Sequence, residues 1–219
     1  MFVAIVPAYN EEKRIYKVIE ELQNFVDLVV VVDDFSADNT YLEANKTKAI
    51  VLQHKINLGQ GAALETGHAY ARKIGADYVL HFDGDGQFVV DDILPALNKL
   101  KETEYDILFG SRFLDNRSNL PFSKKYFILP IGRIVNKIFG VVPLKDSQIG
   151  FRILNKKALE KIVITQNRMA HATEIMGLTK KNNLKYIEFP IKVIYHEFGQ
   201  GVSGGFKIVR DLIWGKFLK

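Results

Sequence analysis

The chain has 219 residues, 47% of them hydrophobic and 25% charged, which suits one globular domain with a sizeable core and excludes a disordered or fibrous class. It contains no cysteine, which excludes a disulfide scaffold and a thiolate metal site and agrees with a reducing compartment. The net charge of +5 is unevenly spread: residues 1–110 hold 10 Lys and Arg against 18 Asp and Glu, a balance of −8, whereas residues 111–219 hold 20 against 7, a balance of +13. An acidic half suits cations; a basic half suits phosphate groups, anionic lipid headgroups or nucleic acid.

The opening "MFVAIVPAYNEE" has no basic leader and meets Pro7 and Glu11 early, so the fold is expected to begin at Met1 rather than after a signal peptide. "FVAIV" (2–6) reads as the first strand, and Ile15, Val18, Ile19, Leu22 and Val26 then follow helical spacing, with Asn10 as the expected N-cap. "LVVVV" (28–32), "AIVL" (49–52), "YVLHF" (78–82) and "DILFG" (106–110) are further strands, with helical patterns between them. After Ser111 the rhythm changes to a basic, apolar stretch, then "KDSQIGFRIL", a helical region near 155–181, and a strand-like "LKYIEFPIKVIY". A Gly-rich loop, "GQGVSGG" (199–205), precedes a last amphipathic segment. Strands apolar at nearly every position are buried on both faces, which predicts an α/β fold: a mostly parallel central sheet in a three-layer, Rossmann-like sandwich. No stretch approaches the roughly 18 consecutive apolar residues of a membrane span.

In such sheets ligands bind beyond the carboxyl ends of the strands. The polar clusters fall there: "PAYNEE" after the first strand, "DDFSADNT" after the second, "HKINLGQGAA" after the third, "DGDGQ" after the fourth and "GSR" after the fifth. Asp83 and Asp85, each followed by a glycine, can turn toward one ligand. Neighbouring carboxylates repel unless a cation lies between them, and hard oxygen ligands select Mg²⁺ or Mn²⁺. A solvated turn is the plain alternative. The loop "NLGQGAA" opens a helix whose backbone N–H groups could face an anion, but without the G-K-[ST] of a phosphate loop packing is the expected role of Gly61. Asp38 and Thr40 are expected to order a turn with Asn39 in a left-handed position, and Asp91 and Asp92 to cap the following helix.

Taken together, "PAYNE" (7–11), "VDDFSADNT" (32–40), "DGDGQ" (83–87) and "GSR" (110–112) resemble the ordered motifs of family 2 glycosyltransferases of the GT-A fold. The likeness runs on through "DSQIGFR" (146–152), Glu174 and "FPIKVIYHEFGQG", and looks most like the polyprenyl-phosphate sugar transferases of the dolichol-phosphate mannosyltransferase type. The resemblance implies one domain over 1–219, with a nucleotide- and metal-binding half (1–110) and an acceptor half (111–219). It implies that Pro7, Ala8, Tyr9, Asn10 and Glu11 line the nucleotide pocket, that Asp33 lies near the base, and that Asp34 faces the ribose or pyrophosphate. Asp83, Asp85 and Gln87 would hold the metal, and Asp146 would lie near the reacting centre. The implied reaction is inverting transfer of a sugar from a GDP- or UDP-linked donor to polyprenyl phosphate, with no nucleic-acid partner. Such an acceptor is already ionised and needs cations rather than a base. Arg112 is the first candidate cation, with Arg133, Lys124 and Lys125 behind it. Arg152 and Glu174 match later motifs, or form a buried pair.

Two departures stand out. Phe35 occupies a position where relatives often carry glycine or a small residue, and Ser203-Gly204 replaces a Ser-Lys pair in the late loop, so the cation that closes over the pyrophosphate is either missing or supplied by Lys207. A hydroxyl acceptor, such as a saccharide, is the alternative substrate; it requires a carboxylate base, for which Asp146 is the nominee. A lipid acceptor implies a peripheral position on the cytoplasmic membrane face. The segment 120–142 and the last amphipathic segment have interfacial composition, and a small membrane protein is a further possible anchor.

Overall fold

A computed structural model describes residues 1–115, 117–118 and 141–194. Seven strands form one sheet: β1 (Phe2–Ala8), β2 (Leu28–Asp33), β3 (Ile50–Gln53), β4 (Tyr78–His81), β5 (Ile107–Ser111), β6 (Arg152–Asn155) and β7 (Tyr186–Pro190), in the spatial order β3-β2-β1-β4-β6-β5-β7. The first four run parallel, β6 is antiparallel to both β4 and β5, and β7 is parallel to β5. Six carboxyl ends therefore share one edge, and the amino end of β6 joins them there.

The helices are α1 (Ile15–Leu22), α2 (Thr40–Asn45), α3 (Gln60–Lys73), α4 (Ile93–Lys101), α5 (Lys156–Lys161) and α6 (His171–Lys181). The two-residue period of β1 explains its unbroken apolar run. Phe2, Ala4 and Val6 join a core layer with Ile15, Ile19 and Leu22 of α1 and Ile93 and Leu97 of α4. Val3 and Ile5 join the opposite layer with Ala63 and Leu64 of α3, Leu159 of α5 and Ile175 of α6. Helices thus cover both faces, as the double-sided burial of the strands requires.

Four local expectations need correction. The stretch expected to be helical near 155–181 divides into α5 and α6, with an extended connection between them. Asn10 does not cap α1: Arg14 holds that position without a side-chain cap, and Asn10 sits in the left-handed region at φ 58°. Asn39, expected to be left-handed, has φ −83°; the left-handed residue of that loop is Phe35, at φ 61°. Asp92 stands at the N-cap of α4 but makes no cap bond; its carboxylate instead accepts the Lys192 N–H (2.6 Å) and pairs with Arg117 (2.8 Å). That link fastens the start of α4 to the segment following β7.

Candidate active site

The loops after β1 and β2 are stitched together by their polar residues. Asn10 donates its N–H to Ser36 Oγ and accepts the Ala37 N–H on Oδ1, both at 2.9 Å. The Glu11 N–H reaches Thr40 Oγ1 at 2.7 Å, and the Glu12 N–H reaches Asp38 Oδ2 at 3.2 Å. Asp38 also accepts the Thr40 N–H, which confirms its turn-ordering role. Pro7 and Ala8 are buried inside β1, so Tyr9 is the first residue of the motif to be exposed. Three large apolar side chains are exposed on this side among polar neighbours such as Asn10 and Lys55: Tyr9 is 49% exposed, Phe35 53% and Ile56 62%.

Asp33 and Asp34 are both buried. Asp33 Oδ2 accepts Gln53 Nε2 (2.9 Å) and the Ser36 N–H (3.4 Å), while Oδ1 accepts the Ser36 hydroxyl. Asp34, expected to face ribose or pyrophosphate, turns into the protein: its carboxylate accepts the N–H groups of Leu58 (2.8 Å) and Gly59 (2.7 Å) and pairs with His54 Nδ1 (2.8 Å). It orders the loop into α3, so those N–H groups are not offered to an anion. Gly61 has the expected packing role, since a Cβ there would meet the Gln166 carbonyl at 2.0 Å.

Asp83 and Asp85 follow β4 on the same edge. A Cβ on Gly150 would lie 2.1 Å from Asp83 Oδ2, so the chain before β6 wraps against this carboxylate and only glycine fits there. Gln60, the first residue of α3, donates Nε2–H to Asp83 Oδ1 at 2.8 Å. Desolvation and then the Asp85 charge push Asp83 up to about 7, opposed by the cations of Arg152 and Arg112. Burial likewise raises Glu11, with the Arg14 bond opposing and Asp85 adding to the rise, so Glu11 shares the same acidic field. Asp85 Oδ1 accepts the Gln87 N–H at 3.0 Å, and the Gln87 carbonyl accepts the Ile194 N–H at 2.8 Å. Among the described residues no cluster of three or more His, Asp or Glu is arranged as a metal site. Two carboxylates that repel each other, with the remaining positions left to water and phosphate oxygens, fit Mg²⁺ or Mn²⁺.

Beneath this pair lies a polar layer that the sequence did not disclose. The antiparallel register pairs Arg152 with His81 and so puts a fully buried guanidinium behind Asp83. Arg152 Nε and Nη1 and His81 Nδ1 have no hydrogen-bond partner among the described residues. Burial holds the surrounding imidazoles neutral: His68 near 3, His171 near 4, and His81 well below its usual value. His68 and His81 bond through their Nε2 atoms at 2.7 Å. Of the two readings of Arg152 and Glu174, the buried pair does not form. Glu174 accepts the N–H groups of Thr165 (3.0 Å) and Gln166 (2.8 Å) and orders the segment before α6.

Arg112 follows β5, where a phosphate-binding cation was expected. Its guanidinium grips Asp146 bidentately, Nε to Oδ2 and Nη2 to Oδ1, both at 2.7 Å, with Arg112 13% and Asp146 1% exposed. Glu188 of β7 accepts the N–H groups of Lys145 (2.8 Å) and Asp146 (3.4 Å) and fixes that carboxylate from behind. Arg133, Lys207, Lys124, Lys125, the late Gly-rich loop and the two basic apolar segments lie outside the described residues.

A doubly covered, mostly parallel α/β sheet with an acidic pair at its ligand edge and a braced arginine beside it has the layout of a GT-A sugar transferase. The chain belongs to glycosyl transferase family 2, whose sequence profile matches residues 3–163, and it is a glycosyltransferase. It is 35% identical to the UDP-N-acetylglucosamine–dolichyl-phosphate N-acetylglucosaminyltransferase of Methanococcus voltae, over 98% of this chain and 96% of that one. It is 28% identical to a dolichyl-phosphate beta-glucosyltransferase of Trichomonas vaginalis, over 95% and 71%. In fold it is similar to glucosyl-3-phosphoglycerate synthase of Mycobacterium tuberculosis solved with UDP, with a TM-score of 0.73 at 16% identity, covering 97% of this chain and 77% of that one. The same synthase has also been solved with Mn²⁺ and UDP-glucose, again at a TM-score of 0.73.

Proposed function

We propose that this chain transfers a sugar from a nucleotide diphosphate-sugar to a polyprenyl phosphate of the dolichyl type, with inversion and with a divalent metal, on the cytoplasmic face of a membrane. The relatives named for dolichyl-phosphate acceptors support the acceptor class, and the donor of the Methanococcus relative makes UDP-N-acetylglucosamine the first donor to test.

The observation that carries the reading is the commitment of Asp146 to Arg112. A hydroxyl acceptor must lose a proton, and the nominated base is buried and gripped on both oxygens. A phosphate monoester, with a second pKa of about 6, arrives ionised and needs no base. It needs a fixed cation, and Arg112, braced by Asp146 and through it by Glu188, supplies one beside the metal-binding carboxylates.

In this reading the acceptor oxygen attacks the anomeric carbon while the bond from that carbon to the diphosphate breaks, and the diphosphate leaves with the electron pair. Asp83 and Asp85 would hold the cation, whose chemistry when bound is to neutralise the departing diphosphate. Gln60 holds Asp83 through one bond, and the Arg152 charge behind it favours the ionised carboxylate that the cation needs. The stitched loops after β1 and β2 form the nucleoside end of the site, with Tyr9 at its mouth. Among the described residues no helix is long and apolar enough to cross a membrane; the dolichyl-phosphate acceptors named for the relatives are what support a membrane-surface position.

The test is incubation with Mn²⁺, a long-chain polyprenyl phosphate and, in turn, labelled UDP-N-acetylglucosamine, UDP-glucose and GDP-mannose, followed by organic extraction. Label in the lipid phase with one donor is the expected result. No labelled lipid with any donor, or label on a soluble saccharide instead, overturns the reading.

A further inference from the structure

Phe35 combines two features that work against each other in a purely structural residue. It lies in the left-handed region at φ 61°, which a bulky side chain rarely adopts, and it is 53% exposed, so no packing of its ring explains the conformation. The backbone is nevertheless well fixed. Asp33 accepts both the N–H and the hydroxyl of Ser36, Ser36 Oγ accepts the Asn10 N–H, and Asn10 Oδ1 accepts the Ala37 N–H, so Phe35 is anchored at both ends of its loop. Asn10, on the other side of that bridge, is also left-handed, at φ 58°. Bonds from Asn10 to Ser36 and Ala37 thus tie the loops at the ends of two neighbouring parallel strands and hold the backbone that carries the ring of Phe35.

The surroundings say what that ring would meet. Tyr9, Phe35 and Ile56 follow β1, β2 and β3, which are adjacent in the sheet, and all three are exposed on the ligand edge. A bilayer is a poor occupant, because these residues stand in the half of the chain that carries a balance of −8, which an anionic membrane surface repels. A small, planar, largely uncharged group fits better. Both Asp33 oxygens already accept donors from Ser36 and Gln53, so contact through an aromatic face has the larger part to play in holding a base here.

We infer that Phe35 is a stacking platform for the nucleobase of the donor and a determinant of donor affinity in this chain, an inference that rests on the nucleotide-sugar reading above. Its preset, strained geometry serves binding rather than folding. Replacing it with glycine should therefore move stability and affinity in opposite directions.

The experiment compares wild type, Phe35→Gly and Phe35→Tyr for Mn²⁺-dependent binding of UDP and GDP, for competition by inorganic pyrophosphate, and for melting temperature. Loss of one base-stacking contact should weaken nucleotide binding roughly 5- to 150-fold in Phe35→Gly. Pyrophosphate competition should be unchanged, the melting temperature unchanged or raised because glycine adopts φ 61° without strain, and Phe35→Tyr should restore affinity. Equal nucleotide affinity in Phe35→Gly overturns the inference, and so does a parallel loss of nucleotide and pyrophosphate affinity, which would mean a distorted loop. If wild type binds pyrophosphate but neither nucleotide, the nucleotide-sugar reading itself fails, whatever the variant does.

Discussion

At the scale of single residues, the site is a set of carboxylates sorted by their partners. Asp34 and Asp146 are held by several internal donors, whereas Asp83, which takes one bond from Gln60, is raised by burial and by the charge of Asp85, a repulsion that a bound cation relieves. Desolvation first, and Asp85 second, raise the folded pKa of Asp83 to about 7 from its ordinary value of 3.8. The folded state therefore binds more protons than the unfolded state between about pH 4 and pH 7, and the contribution of Asp83 to stability falls as pH rises through that window. Asp83→Asn should consequently melt higher than metal-free wild type at pH 8, by at least about 4 °C, with the difference shrinking toward pH 4. Mn²⁺ should raise the melting temperature of wild type at pH 8 but not that of the variant; a pH-independent difference would refute the assignment. Asp146→Ala leaves the mostly buried Arg112 without its bidentate partner and should cost about 3 kcal/mol in chemical denaturation. Asp146→Asn, keeping shape, should raise the KM for acceptor lipid more than it lowers kcat, and an unchanged KM would remove Asp146 from the acceptor site.

The residues best legible in the sequence were those whose chemistry is set by position along the chain. Asp83 and Asp85 follow a buried strand, and that fact alone puts them on the ligand edge. The inward turn of Asp34 was not legible, because its partners Leu58 and Gly59 come from another loop and are met only after β3 pairs with β2. Asn10 offered a signal that was read wrongly: asparagine suits an N-cap and also tolerates the left-handed region, and the bond to Ala37 across the loops selects the second.

At the scale of elements, β6 is the strand that makes the site. Its sequence, apolar between Arg152 and Asn155, reads the same in either direction, so the strand itself was hidden and its antiparallel sense more so. Running against β4, it brings Arg152 level with His81 and draws Gly150 onto Asp83. The N-terminus of α3 contributes Gln60 from the other side of the same carboxylate. Gly150→Ala tests this wrapping, because its methyl group would collide with Asp83 Oδ2. The substitution should cost about 1–3 kcal/mol of stability and weaken Mn²⁺ binding at least about tenfold. Titration of the metal against wild type and variant checks it; equal affinities would mean that Asp83 can move aside without leaving the site.

At the scale of the whole molecule, the two charge balances, −8 and +13, suit the proposed division of labour, in which one half would bind the cation and the other would meet phosphate and lipid. The mostly parallel sheet and the two-sided core were largely legible, since five of the seven strands are short apolar runs closed by polar loops, whereas the place of β6 between β4 and β5 was not. Surface association of this kind should be electrostatic. The protein should sediment with vesicles containing anionic lipid, be released as salt shortens the screening length to about 3 Å at 1 M, and ignore neutral vesicles. Salt-resistant binding to neutral vesicles would point to insertion of apolar residues instead.

The central claim, that Asp83 and Asp85 hold a metal used in moving sugar onto a lipid phosphate, is tested most directly by the initial rate of sugar transfer to polyprenyl phosphate as Mn²⁺ is titrated. The account predicts saturable activation by metal in wild type, and a rate at least about 100-fold lower in Asp85→Ala at every metal concentration. Full transfer in the presence of a chelator, or an Asp85→Ala rate equal to wild type, would contradict it.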